Sequence, residues 1–129
     1  MTTSLPERAA SLLDAHAFVT LATLNADGSP QATILWAARD GDTILLSTLQ
    51  GRQKERNLQR DPRVSLVIHD AENPYSFVEV RGSVTITTDG GAELIQQLSQ
   101  AYTGGAYTAD GPDDVRVVLR LALEKVVVR

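Results

Sequence analysis

The chain has 129 residues, 43% of them hydrophobic, which is enough for one hydrophobic core, and we expect residues 1–129 to form a single domain. The absence of cysteine excludes disulfide bonds and thiolate metal sites. We also find neither a signal peptide nor a membrane-spanning run in the sequence, and we therefore expect a cytoplasmic protein without a membrane partner. The formal net charge of −4 argues against broad binding to nucleic acid, so any bound anion should be small.

Residues 5–15 predict a short amphipathic helix. Ser4 and Glu7 have the spacing of a capping box, in which two side chains bond the free N–H groups of a first helical turn. Three apolar residues then recur at helical intervals, namely Ala9, Leu12 and Leu13.

Three strands joined by tight turns follow this helix. FVTLATLN, at residues 18–25, is rich in β-branched residues and ends at the turn ADGSP. QATILWAA, at residues 31–38, ends near the hairpin signal Asp40-Gly41, and TILLSTL follows at residues 43–49. Such short connections predict an antiparallel meander.

The remaining sequence predicts three more strands and two helices. VSLVIHD is the fourth strand, and residues 77–87 form the fifth, where apolar and polar side chains alternate. Apolar residues at helical spacing predict a helix near residues 94–102, the loop at residues 103–114 follows it, and VRVVLRLALEKVVV is the sixth strand. The fold class is therefore mainly β (α+β): a six-stranded antiparallel barrel with flanking short helices, whose closure leaves no exposed sheet edge.

Positive charge is concentrated in GRQKERNLQRDPRVSL, at residues 51–66. If its first half is helical, Lys54, Asn57 and Leu58 share a face that we expect to turn towards the barrel. Arg52 then lies at the helix N-terminus, where backbone N–H groups favour an anion.

Two hydroxyl groups precede this helix, because Ser47 and Thr48 end the third strand. Hydroxyls, a guanidinium, an ammonium and a helix start together predict a phosphate site. The alternative is a solvated helix whose charges make surface pairs, and to that interpretation we assign Arg56 and Arg60.

STLQGRQKERNLQRDPRVSL, at residues 47–66, resembles the phosphate-binding signature of the pyridoxamine 5'-phosphate oxidase-like split β-barrels. In that signature a strand ending in Ser or Thr leads to an Arg/Lys helix and then to a D/N-P-R-x-S-L strand. The order of elements is similar over nearly the whole chain. The resemblance implies a split barrel that forms a homodimer and binds a flavin, or the deazaflavin coenzyme F420, in a groove at the dimer interface.

The details of the motifs favour F420 over FMN. The FMN-binding oxidases carry Arg and Lys at the ends of the second strand, as R-x-V-L-L-K, whereas this chain has Gln31 and Trp36 there. Three motifs are similar to the actinobacterial F420-dependent oxidoreductase branch instead: Arg52-x-Lys54-x-x-Asn57, Pro30-Gln31 and Tyr75-Ser76-Phe77.

The resemblance implies which residues bind the cofactor. The phosphate would be held by Arg52 and Lys54 with support from Asn57, beside the hydroxyls of Ser47 and Thr48. The second strand would line the ring with Thr33, Ile34, Leu35 and Trp36, and Gln31 at its start would also bind the cofactor. The other subunit would contribute Tyr75 and Ser76. On position alone, Trp36 suits a core anchor equally well, and Tyr75 suits ordinary interface packing.

No motif for hydrolysis or for metal binding stands out. His16 and His69 are far apart in the sequence, and we interpret each as structural, so we expect no metal site. We identify no catalytic side chain, since a reduced deazaflavin itself donates the hydride and the protein supplies binding and orientation.

Three functional hypotheses stay open. The first is an F420H2-dependent reductase that passes a hydride to a small conjugated acceptor, such as an enone, a quinone or a tetrapyrrole-like compound. The second is an FMN-binding split-barrel oxidase or flavin reductase, and the third is a carrier or sensor that binds F420 without turnover. A nucleic-acid partner is not expected, because aromatic residues are few and are not interleaved with the charges.

Overall fold

One antiparallel sheet surrounded by short helices makes up the computed structural model, which describes residues 3–129. No helix in that range is long and apolar enough to cross a lipid bilayer. In chain order the elements are α1 (Glu7–Asp14), β1 (Val19–Leu24), β2 (Pro30–Leu35), β3 (Ala37–Asp40), β4 (Thr43–Leu49), α2 (Gln53–Arg60), β5 (Arg63–Ile68), β6 (Val78–Thr87), α3 (Gly91–Thr103) and β7 (Arg116–Val128).

The sheet has the strand order β2-β1-β5-β6-β7-β4-β3, with antiparallel pairing throughout. Its two edge strands, β2 and β3, are consecutive in the chain and are separated only by Trp36. A sheet whose opposite edges meet at one residue must curl back on itself. This is the mainly antiparallel, barrel-like fold with flanking helices that the sequence predicts.

The strand count and the closure differ from the prediction. The predicted second strand, residues 31–38, bends at Trp36 and serves both edges of the curled sheet, so there are seven strands rather than six within residues 3–129. The three-stranded meander is therefore wrong in detail: β1 pairs with β2, and β3 pairs with β4, on opposite edges. The sheet is curled rather than closed, since no ladder in the described residues joins β2 to β3.

The core lies on the concave side of the sheet, where inward side chains of five strands meet. Leu21, Leu46, Leu66, Val80 and Leu121 are each at most 1% exposed. Fully burying such a side chain contributes about 1.5–3 kcal/mol. A smaller cluster lies where α3 packs on β4 and β7 from the other side.

The start of α1 also departs from the predicted capping box. The helix begins at Glu7, its N-cap residue is Pro6, and no side chain caps it, so Ser4 lies outside the helix. Proline suits a helix start, because its ring fixes φ and the missing N–H would have no partner there.

Candidate functional site

A cavity of about 250 Å³ opens where β2 ends, between β4, α3 and the loop before β7. One side is an apolar wall, which we define as Ile34, Leu35 and Trp36. The polar end carries Ser47 and Arg116. The remaining lining residues are aromatic or aliphatic: Phe18, Ile95, Leu98 and Tyr107.

Trp36 is held by two tyrosines while it lines the cavity. Its ring stacks on Tyr102, with centroids 5.5 Å apart and planes at 18°, and it meets the ring of Tyr107 edge-on at 6.2 Å. The Tyr102 hydroxyl accepts a hydrogen bond from the Ala37 N–H (3.1 Å) and donates one to the Ala17 carbonyl (2.5 Å). Burial raises the pKa of Tyr102, which keeps this donor protonated. Trp36 is therefore both an anchor and a cavity wall.

Two cations of the predicted phosphate site lie at the start of α2. Arg52 is the exposed N-cap residue, and Lys54 is half-buried in the first turn. None of the ion pairs among residues 3–129 involves either side chain. Burial, and then the charges of Arg52 and Arg116, lower the pKa of Lys54. An ammonium that is partly desolvated beside like charges favours a bound anion.

Arg116 is a third cation, which the sequence does not reveal. It is the first residue of β7 and stands opposite Leu49 in the β4–β7 ladder, three residues before Arg52. Its Nη1 lies 3.4 Å from the Oγ of Ser47, and its Nε and Nη2 donate to Asp110 at 2.8 and 2.9 Å. We call Arg52, Lys54 and Arg116 the basic group.

Ser47 and Thr48 lie on opposite faces of β4, because successive strand residues alternate. Both are buried, at 8% and 4% exposure, and only Ser47 lines the cavity. The predicted hydroxyl pair is thus divided, with Thr48 outside the cavity lining.

Asn57 lies in the protein interior rather than in the cavity. It is 0% exposed, and its Nδ2 donates to the Oγ1 of Thr23 (3.0 Å) and the Oδ1 of Asn25 (2.9 Å). Its Oδ1 accepts from the Nε2 of Gln53 at 2.8 Å. These bonds tie α2 to the end of β1, so Asn57 positions the helix that carries Arg52 and Lys54.

Replacing Asn57 with alanine should destabilise the fold by about 1–3 kcal/mol, since Thr23, which is also buried, loses its donor. Urea denaturation measures this loss. Gln97→Ala, at an exposed position of α3, is the control and should change the free energy of unfolding little. Equal stability of the two variants would show that the buried network contributes nothing.

The other residues predicted on β2 and in the β5–β6 loop lie away from the cavity lining. The Oε1 of Gln31 lies 3.5 Å from the Oγ1 of Thr23, and its side chain lines a separate polar hollow beside Gln53. Thr33 is half-buried on β2. Tyr75 is 87% exposed.

Ser76, next to Tyr75, is held by both ends of the chain. Its Oγ accepts from the Nη2 of Arg8 at 2.9 Å and donates to the carbonyl of Arg129 at 3.2 Å. Within one chain, Tyr75 and Ser76 thus lie in a surface loop and do not line the cavity.

Arg56 and Arg60 are exposed, as the solvated interpretation predicts, but they bind backbone carbonyls rather than acidic side chains. Arg56 donates to Gly51 O at 2.6 Å, and Arg60 donates to Leu24 O at 2.5 Å. Both bonds hold α2 in place.

The two histidines have structural contacts. The His16 ring packs on Tyr102 with centroids 5.6 Å apart, and the His69 Nε2 is 2.7 Å from the Thr20 Oγ1. In residues 3–129, no three His, Cys, Asp or Glu side chains are grouped so that they could hold a metal ion.

Comparison with known proteins gives the family and the fold of this chain. The family model Pyridoxamine 5'-phosphate oxidase matches residues 5–128. A solved structure named F420 Reductase is 33% identical, with a TM-score of 0.83 over 95% of this chain and 98% of that one. A conserved hypothetical protein from Mycobacterium tuberculosis is 27% identical, with a TM-score of 0.76 over 97% of this chain and 84% of the Mycobacterium chain.

More distant structures share the fold alone. The HupZ protein of Group A Streptococcus is 16% identical, with a TM-score of 0.71 over 96% of this chain and 93% of that one. The split-barrel fold and the family that the sequence predicts are confirmed by these matches. The chain belongs to the pyridoxamine 5'-phosphate oxidase family.

Proposed function

We propose that this protein is an F420H2-dependent reductase that transfers a hydride to a small conjugated acceptor. The observation that carries the proposal is a cavity that has both an apolar wall and Arg116, one member of the basic group, with the charges of Arg52 and Arg116 both acting on Lys54 nearby. F420 combines the matching chemistries, a flat tricyclic ring and a phosphate-bearing tail. Family membership, and 33% identity to a protein named F420 Reductase, support the oxidoreductase class.

The residues at the ends of β2 favour F420 over FMN. The family's FMN-binding oxidases have basic residues there, whereas this chain has Gln31 and Trp36. Gln31 lines a hollow of its own, and Trp36 is packed between two tyrosines. A doubly charged phosphate monoester such as that of FMN therefore lacks two of its usual cationic partners.

The proposed enzyme works as a homodimer in the cytoplasm. The cavity of about 250 Å³ is smaller than the usual ligand pocket of about 300–1,000 Å³, so this cavity alone provides only part of a site for a tricyclic ring. Ile34 is 65% exposed, and a ring resting on it would face solvent. A second copy, which contributes Tyr75 and Ser76, would cover that ring.

In this proposal, the chain's own residues bind, orient and shield. Reduced F420 supplies the hydride when it is bound. The basic group holds the phosphate, and the apolar wall aligns the ring, with Trp36 fixed by Tyr102 and Tyr107. The Tyr102 hydroxyl is already bonded to the backbone of Ala17 and Ala37, so its role is to position Trp36.

A fluorescence-quench titration of the cofactor-free protein with F420, and separately with FMN, tests the proposal. We expect micromolar or tighter binding of F420 and weaker binding of FMN. Anaerobic oxidation of F420H2 by a small quinone should then require the protein. The reverse preference would indicate a flavin protein, and tight F420 binding without oxidation of F420H2 would indicate a carrier or sensor. Binding of neither would refute the proposal.

A further inference from the structure

Arg116 and Asp110 form an ion pair at the polar end of the cavity. The Nε and Nη2 of Arg116 donate to the two carboxylate oxygens of Asp110 at 2.8 and 2.9 Å. The side chains are 12% and 25% exposed, so the pair is partly desolvated. Such a bidentate pair fixes the orientation of the guanidinium.

This orientation turns Nη1 towards the cavity side, where it donates to the hydroxyl of Ser47. Nη1 lies 3.4 Å from the Oγ of Ser47, which also lines the cavity, and the guanidinium carbon is 4.9 Å from the centre of the Tyr107 ring. A guanidinium has five N–H groups, of which Asp110 takes two and Ser47 takes one, so Arg116 can still donate to a ligand in the cavity.

The charges around this pair do not cancel. Arg116 and Arg52 both lower the pKa of Asp110, with the Arg116 hydrogen bond as the largest cause. No other ion pair in the described part of the chain supplies a carboxylate to the basic group. Within the described residues, the three cations of the basic group thus have one ion-paired carboxylate, that of Asp110 on Arg116.

We propose that Arg116 is the third binding cation of the anion site, and that Asp110 is a built-in counterion that weakens anion binding there. The proposal rests on the function proposed above for the identity of the cofactor, while the anion site itself can be tested without F420. Asp110 orients Arg116 and at the same time repels the ligand's negative charge. The two members of one ion pair should therefore have opposite effects on affinity.

The test uses Asp110→Asn and Arg116→Gln, with binding of pyrophosphate and of F420 measured by calorimetry at low ionic strength, where charge effects are least screened. We expect Asp110→Asn to bind pyrophosphate about threefold or more tightly than the wild type, and Arg116→Gln to bind it about tenfold or more weakly. Arg116→Lys, which keeps the charge, should recover part of the affinity and guards against a folding defect in the glutamine variant.

The proposal is supported if Asp110→Asn binds pyrophosphate more tightly than the wild type and Arg116→Gln binds it more weakly. If both variants weaken binding equally, the pair is only a brace for the loop at residues 103–114, and the proposal is wrong. Unchanged affinity in Arg116→Gln, or no pyrophosphate binding by the wild type, overturns it as well. If the two variants change pyrophosphate affinity in opposite directions but the protein does not bind F420, the anion site is supported and the proposed cofactor is wrong.

Discussion

Lys54→Ala should bind F420 at least about tenfold more weakly than the wild type, while the fold stays intact. A charge-assisted hydrogen bond to phosphate contributes about 1.5–3 kcal/mol, and about 1.4 kcal/mol corresponds to tenfold in affinity. Stability should not fall, because burial and two neighbouring cations already disfavour the charge of Lys54, as its lowered pKa indicates. Fluorescence-quench titration and urea denaturation measure the two effects.

Lys125→Ala is the matched control, since it removes an equal charge from an exposed position of β7, outside α2. Its affinity for F420 should be close to that of the wild type. A loss as large as that of Lys54→Ala would mean that only the overall charge of the protein matters.

The lowered pKa of Lys54 also predicts a pH dependence. Lys54 loses its charge at a lower pH than an ordinary lysine, so F420 binding should weaken as pH rises through this lowered pKa. Lys54→Arg, which stays charged, should remove that alkaline loss. An unchanged pH profile in the arginine variant would assign the loss to another group.

Gly91→Ala should destabilise the protein by about 3 kcal/mol or more, at the upper end of the usual cost of overpacking. Gly91 is buried at the start of α3, and a Cβ there would lie 2.0 Å from the carbonyl oxygen of Arg116 and 2.6 Å from its carbonyl carbon. Because these are backbone atoms, α3 or the start of β7 has to move. Arg116 would move with the strand, so F420 binding should weaken too.

Gly105→Ala is the control for this substitution, because its Cβ would have only the Thr103 Oγ1 nearby, at 3.9 Å. Urea denaturation should show little change in this variant. If Gly91→Ala lost no more stability than Gly105→Ala, the close approach of α3 to β7 would be of no energetic consequence.

Most strands could be predicted because their alternation is local. In β6 the buried residues Val78, Val80 and Val84 alternate with polar ones, and this pattern is visible in the sequence. The bend at Trp36 has no such signal, since QATILWAA contains neither glycine nor proline. It follows from the curling of the whole sheet, which depends on strands far away in the sequence.

The candidate site likewise contains residues that local sequence predicts and residues that it does not. The sequence led to six residues that lie at the cavity or at the start of α2: Ile34, Leu35, Trp36, Ser47, Arg52 and Lys54. Helical spacing correctly placed Asn57 on the face of α2 that turns towards the barrel. Spacing does not reveal that the Asn57 amide donates its hydrogen bonds to Thr23 and Asn25.

Arg116, Asp110 and Tyr107 were missed because long-range pairing brings them to the cavity. The β4–β7 ladder places Arg116 opposite Leu49. The loop at residues 103–114 folds back so that Asp110 and Tyr107 contact Arg116. No local pattern in the sequence encodes that register.

The position of β7 in the sheet has a consequence for the order of folding. β7 lies between β6 and β4, so the hairpins β1–β2 and β3–β4 can form early, while β4 gains its second neighbour only when residues 116–128 have emerged from the ribosome. Pairing between such distant segments is slow. Because Arg116 arrives with this strand, the proposed anion site would be complete only after β7 has paired with β4. By mass action, a ligand that binds there would stabilise the fully folded chain relative to aggregation-prone folding intermediates.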